Sequence, residues 1–252
     1  MGILRIGTSG IVVPGTKENF PEEYRSGSRL HYYGSLFNTL EVNSSFYKVP
    51  LPATFEKWSQ EVPDDFKFTV KLWREITHKK KLLYDPGDIT AFLKAADKVG
   101  EKKGCLLIQF PASVKIELRR EVKNILKQVH TLNSAPGWNV CVEFRDINWY
   151  IGPVYDLLDR YEASVVRHDM PASKPPVSDE AARVVYLRFH GPSGDYRGGY
   201  SQEFLEGYAS LVKMWLARDK DVYAYFNNTI GTAFEDAQTL RKLVEEPFLD
   251  HL

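Results

Sequence analysis

Acids, bases and amides recur two residues apart at the ends of apolar runs. Glu41 and Asn43 close "TLEVN", Glu143 and Arg145 close "CVEFR", Arg167 and Asp169 close "VVRHD", and Arg188 and His190 close "VYLRFH". Side chains two apart on a strand share a face, so each pair projects to one side. Lys71, Gln109 and Asn227 hold corresponding positions on three further runs, while Val42, Phe144 and Phe189 suit an opposite, apolar face. Ionisable groups on a buried face cost free energy unless they are paired or solvated. Converging pairs of this kind read as a polar site for acid–base chemistry. Glu143 or Glu41 is the expected general base, and His190 an acid or a phosphate donor. Lys71, Arg145 and Arg188 would stabilise developing negative charge. The competing reading is an ion network that merely plugs the space, although hydrophobic packing would fill it without that cost.

The charges also suggest a ligand. Lys71, Arg145, Arg167 and Arg188 face Glu41, Glu143 and Asp169, with Arg74, His78 and His190 expected nearby. Excess positive charge and bidentate arginine donors favour phosphate or carboxylate. The loop "GPSGDYRGGYS" (191–201) follows directly, and Gly191, Gly194, Gly198 and Gly199 would let backbone approach a phosphate, with Arg197 adding charge. Tyr196 and Tyr200 would stack on a ring or base, or simply pack. Glu41, Glu143, Asp169 and His190 are also donors for a divalent metal. The neighbouring cations compete for those carboxylates, so no cofactor is predicted and a metal is the weaker reading. No P-loop, HExxH helix, nucleophile-elbow serine or dinucleotide fingerprint is present.

Eight β-rich runs must carry these residues: 4–9, 39–45, 66–71, 105–110, 139–144, 163–169, 184–190 and 221–228. Between them lie amphipathic stretches such as 51–62, 88–101, 116–130 and 201–218, with Ser201 and Asp88 as expected helix N-caps. Alternation of this kind predicts a parallel sheet with crossover helices. Eight strands favour an α/β, TIM-barrel-like (β/α)8 fold, whose active sites lie at the C-terminal mouth. The Pro-rich 170–180 segment predicts one crossover helix reduced to a loop. No linker interrupts residues 1–252, so one domain is expected.

The chain has 252 residues, with 33 basic and 33 acidic side chains and no net charge. That balance gives no indication of a nucleic-acid partner held by bulk charge. Cys105 and Cys141 lie in apolar runs without metal-ligand spacing and read as buried thiols of a reducing compartment. Neither a signal peptide nor a membrane-length apolar run is visible, so a soluble, cytoplasmic protein without a membrane partner is expected.

The segments "IGTSG" (6–10), "LEVNSSFYKVP" (40–50), "KFTVKLWREITH" (67–78), "LIQFPAS" (107–113), "VEFRDINWY" (142–150), "YLRFHG" (186–191), "YRGGYS" (196–201) and "VYAYFNNTIGTAF" (222–234) resemble, in order, the YecE-like family known as domain of unknown function 72. The resemblance implies a TIM-barrel-like fold but no reaction. It marks Glu41, Asn43, Lys71, Arg74, His78, Gln109, Glu143, Arg145, Arg188, His190, Tyr200, Asn227 and Asn228 as pocket residues. Two departures stand out. "IVVPGTKENF" replaces an aromatic, Trp-containing stretch, and Asp146 follows "EFR" where the family commonly has histidine. The leading expectation is a hydrolase-like enzyme for a phosphorylated or otherwise anionic substrate. A nucleic-acid phosphoester is one candidate, with Tyr196, Tyr200 and Trp149 for stacking. The alternatives are a non-catalytic protein that binds an anionic metabolite, and a metal-dependent isomerase or lyase.

Overall fold

The structure, a computed structural model, describes residues 1–133, 135–176 and 182–246. All eight expected strands form: β1 Leu4–Thr8, β2 Thr39–Val42, β3 Lys67–Lys71, β4 Lys103–Phe110, β5 Asn139–Phe144, β6 Ala163–His168, β7 Val184–Phe189 and β8 Asp221–Phe226. They are rich in Val, Ile, Leu, Phe and Tyr and buried on both faces, as parallel strands covered by helices must be. The sheet runs β1-β8-β7-β6-β5-β4-β3-β2, with every pair parallel.

Around it lie helices α1 Arg29–Leu36, α2 Pro52–Gln60, α3 Pro86–Ala96, α4 Arg119–Leu132, α5 Gly152–Arg160, α6 Gln202–Ala217 and α7 Ala233–Glu245. Ser201 caps α6, accepting from the Phe204 amide at 3.2 Å. The cap of α3 is Asp85, not Asp88. Asp85 accepts from Gly87, and Pro86 at the first helical position starts the helix one turn early. No helix forms at 170–176; residues 177–180 of the expected loop lie outside the described residues.

The ends of the sheet, β1 and β2, meet through side chains more than through a ladder. Asn38 accepts from the Ile6 amide and donates to the Leu4 carbonyl. The Tyr33 hydroxyl accepts from the Thr8 amide and donates to the Thr39 carbonyl. Only at the C-terminal end does backbone take over, where Ser9 bridges Glu41 and the Gly10 amide reaches the Glu41 carbonyl at 2.8 Å. Gly7 makes this approach feasible, since a Cβ there would collide with the Thr39 carbonyl. The result is a nearly closed barrel.

The barrel interior holds Cys105, Leu107, Cys141, Val166, Val184, Tyr186, Tyr223 and Tyr225, while the larger apolar core lies between strands and helices. Both cysteines are buried free thiols. Tyr225 bonds the hydroxyls of Thr39 and Thr69 at 2.6 and 2.7 Å. Above this layer, toward the C-terminal ends of the strands, the interior turns ionic.

Candidate functional site

Arg188 is the hub of that ionic layer. Its position on β7 places it two residues beyond Tyr186 on the inner face, and its side chain is 2% exposed. Nε donates to both Glu41 oxygens at 3.1 and 3.0 Å, and Nη2 to Glu41 Oε1 at 2.9 Å. Nη1 donates to Glu143 Oε2 at 3.1 Å and faces His190 Nε2 at 3.0 Å. Four of its five N–H groups are thereby used, leaving one on Nη2. Glu41 also accepts from Ser9 at 2.6 Å and from the Tyr186 hydroxyl, and Glu143 accepts from Arg145 Nε. Burial would raise both carboxyls. The guanidinium groups outweigh it, holding Glu41 below its ordinary value and Glu143 well below it. Burial opposes the charge on Arg188, yet the two glutamates raise its pKa above the usual value.

His190 is held between opposite partners. Its backbone amide and Nδ1 both reach Asp169 Oδ1, at 2.8 and 3.1 Å. Its Nε2 faces Arg188 Nη1 and Arg145 Nη2, each at 3.0 Å. Guanidinium can only donate, so Nε2 must accept and the proton sits on Nδ1 toward Asp169. Burial, opposed by the Asp169 bond and reinforced by Arg188, pushes the imidazole down to about 4. His190 is therefore a neutral acceptor that steers two arginines. Tyr200 secures Asp169 in turn, donating to its second oxygen while accepting from the Gly191 amide.

Lys71 differs from all of these. It ends β3 on the inner face and is buried, yet among the described residues nothing gives its Nζ a hydrogen bond or an ion pair. The amine instead lies 4.1 Å above the Phe46 ring. Phe46 belongs to a helical turn, Ser44–Tyr47, fixed against the strand by Ser45, whose hydroxyl donates to the Lys71 and Val42 carbonyls. Burial, then the charge of Arg188, brings the amine down to about 7, with Glu143 and Glu41 pulling the other way. A cleft of about 300 Å³ opens over it, lined by Asn43, Phe46, Tyr47, Lys71, Arg188, Tyr196, Asn227 and residues 229–230. Within that lining, the Asn43 Oδ1 atom is buried without a partner.

The strand-end reading thus places Glu41, Asn43, Lys71, Gln109, Glu143, Arg188, His190 and Asn227 on inner faces, with Gln109 opposite Glu143 in the ladder. Arg145 and Asp169, just past their strands, turn in to join them. Arg167 does not. It faces the helices, with its guanidinium 5.4 Å from the Trp215 ring. The alternation on β6 runs through Ser164, Val166 and His168, and Asp169 reaches His190 only because the strand has ended. Arg74 and His78 lie outside the cleft lining and pack against Phe46, at 6.0 and 4.8 Å. Burial, with Lys71 and Arg74 beside it, lowers His78 to about 4.

The loop after β7 is built differently from a phosphate cradle. Its glycines serve packing: a Cβ on Gly191 would strike the Arg197 carbonyl, and one on Gly199 the Thr232 hydroxyl. The amides of Gly194, Tyr196 and Arg197 are satisfied within the loop, and Gly191's by Tyr200. The strand pair Arg197–Gly198 with Ile230–Gly231 joins the loops after β7 and β8. Asn228 reinforces the join, donating to the Gly198 carbonyl and to Asp236. Tyr200 stacks on Phe204 and Trp149 is buried against Phe144, so neither is a platform for a base. Asp146 caps the turn Ile147–Trp149 and pairs with Lys115 at the rim, away from the cleft lining. Among the described residues no group of three or more His, Cys, Asp and Glu is placed to hold a metal, because Glu41, Glu143 and His190 are turned onto arginines.

Sequence reading missed Ser9 and Tyr186, both donors to Glu41, and the Phe46–Tyr47 wall. Tyr186 shares the period of Arg188 and His190 and was within reach of the same argument. Phe46 sits on a helical turn, where a period of two no longer applies.

The sequence matches the family described as "Protein of unknown function DUF72" over residues 5–250. It is 26% identical over 246 residues to the UPF0759 protein YunF of Bacillus subtilis (strain 168), covering 84% of each chain. It is 31% identical over 127 residues to the UPF0759 protein YecE of Escherichia coli (strain K12), covering 50% of this chain and 44% of that one. Among solved structures, a DUF72 family protein of Enterococcus faecalis V583 superposes with a TM-score of 0.79 at 19% identity, covering 98% and 97% of the two chains. A DUF72 family protein of Thermotoga maritima MSB8 does so with a TM-score of 0.76 at 26% identity, covering 97% and 100%. Spanning nearly the whole chain and agreeing with the barrel, the family match settles the assignment: this chain belongs to the YecE-like DUF72 family.

Proposed function

We propose that the chain is an enzyme acting on a small anionic substrate in the mouth of the barrel, with the Lys71 amine as its proton-transferring group. The observation that carries this reading is the amine itself: buried, without a hydrogen bond or ion pair among the described residues, and open to a cleft of about 300 Å³. A lysine kept for stability would be paired or would extend its charge to water. An amine near 7 is populated in both protonation states at neutral pH, the condition a general acid or base requires.

Unused donors, more than net charge, favour an anion: with Arg167 turned to the helices and Arg74 outside the lining, Lys71, Arg145 and Arg188 only balance Glu41, Glu143 and Asp169. The last N–H of Arg188 and the Asn227 amide are the donors left for the anion. The glutamates, expected as bases, serve better as positioning residues, since the arginines hold them ionised and weakly basic.

Turnover of a panel of phosphorylated and carboxylated metabolites tests the reading. One anionic class is expected to react, with an inflection near pH 7, and Lys71→Met is expected to lower kcat by about 10²- to 10⁴-fold. Unchanged rates in Lys71→Met would remove the amine from the chemistry. A rise in melting temperature with no product across the panel would make the protein a holder of anionic metabolites instead.

A further inference from the structure

We infer that Lys71 is a nucleophile that condenses with the carbonyl carbon of a small oxo acid to form an imine. This rests on the anion-site reading above and goes beyond it in naming the bond that forms. Two features activate a lysine for such chemistry, an apolar seat and a neighbouring cation. Lys71 has both, its burial at the end of β3 and the charge of Arg188. It extends from the end of a hydrogen-bonded strand whose carbonyl is held by Ser45, so the amine has a fixed root. The cleft suits a molecule of a few carbons.

The lining supplies the remaining parts. The Arg188 N–H and Asn227 amide are placed for a carboxylate. Asn43 Oδ1, buried and unpartnered, can accept from the hydroxyl of the first adduct. The neutral amine attacks the carbonyl carbon, forming C–N while the C=O π pair moves to oxygen. That oxygen takes one proton from Nζ, through the Tyr196 hydroxyl at the cleft wall or a water. The C–O bond then breaks, and oxygen leaves as water with the second Nζ proton as C=N forms. One amine and one carbonyl give one imine and one water, with no change of oxidation state. Glu41 and Glu143 are near enough to favour positive charge at Lys71, and so would favour the protonated imine that serves as an electron sink.

The test is reductive trapping with pyruvate and sodium cyanoborohydride, read by peptide mass mapping, with acetone as an uncharged control. At neutral pH a lysine near 7 carries on the order of a thousandfold more neutral amine than an ordinary one. Label is therefore expected on Lys71 well before Lys79, Lys80 or Lys81, more with pyruvate than with acetone. It is expected to vanish in Lys71→Arg, whose melting temperature reports that the variant is folded. Label spread evenly over surface lysines, or unchanged total label in Lys71→Arg, would overturn the inference. Turnover of anionic substrates without trapping would leave the enzyme reading intact while removing the imine. Trapping at Lys71 without turnover would keep the nucleophile and remove the enzyme.

Discussion

At the scale of single residues, the mouth is governed by how completely each charge is answered. Arg188 has no solvent to fall back on, so its two carboxylates are conditions of its burial. Glu41→Gln would leave the guanidinium short of a charge in a place water does not reach. The expected loss is about 3 kcal/mol at pH 7, read from urea unfolding. The loss should shrink in acid, where the native carboxylate also takes up a proton. Lys71 is the opposite case. Removing its charge relieves a desolvated cation, so Lys71→Met should unfold no earlier than the native chain while changing the chemistry of the cleft. That contrast between stability and activity separates positioning residues from reactive ones.

At the scale of elements, the seam between β1 and β2 shows how side chains stand in for strand pairing. Asn38 answers a backbone donor and a backbone acceptor of β1 at once. Asn38→Ala should therefore cost about 2 kcal/mol, seen as an earlier unfolding midpoint with unchanged m-value. The strands themselves were legible because apolar alternation and β-branched residues mark them directly. The site was legible as far as that alternation extends. It puts Arg188, His190 and Glu143 on the inner face, where they are found, and puts Arg167 there too, although that residue on β6 faces the Trp215 ring instead of the barrel. The glycine-rich loop misleads for a related reason. Glycine permits close approach without saying what approaches, and here it is the neighbouring loop. The cap of α3 moved from Asp88 to Asp85 because Pro86 can begin a helix that periodicity alone starts later.

At the scale of the whole molecule, the buried titrating groups set a direction for stability against pH. His190 titrates near 4 in the fold and near 6.5 when unfolded. Between those values the unfolded chain binds the extra proton, so its share of stability is complete above about 6.5 and lost as pH falls toward 4. Glu41 and Glu143, lowered in the fold, act in the same sense below their unfolded values. The melting temperature should fall continuously from pH 7 to pH 4, and His190→Gln should flatten the upper part of that fall. The join between 197–198 and 230–231 has a different consequence. It fastens Tyr196 and Ile230 into a common jamb at one side of the entrance, where altering either loop disturbs its mate. The Phe46–Tyr47 side is a separate turn, held by backbone bonds to Asn43 and Ser44 and by the Ser45 hydroxyl on the Val42 and Lys71 carbonyls. Paralogues that come to accept bulkier or differently shaped molecules should have been recut on that second side, leaving the jamb alone.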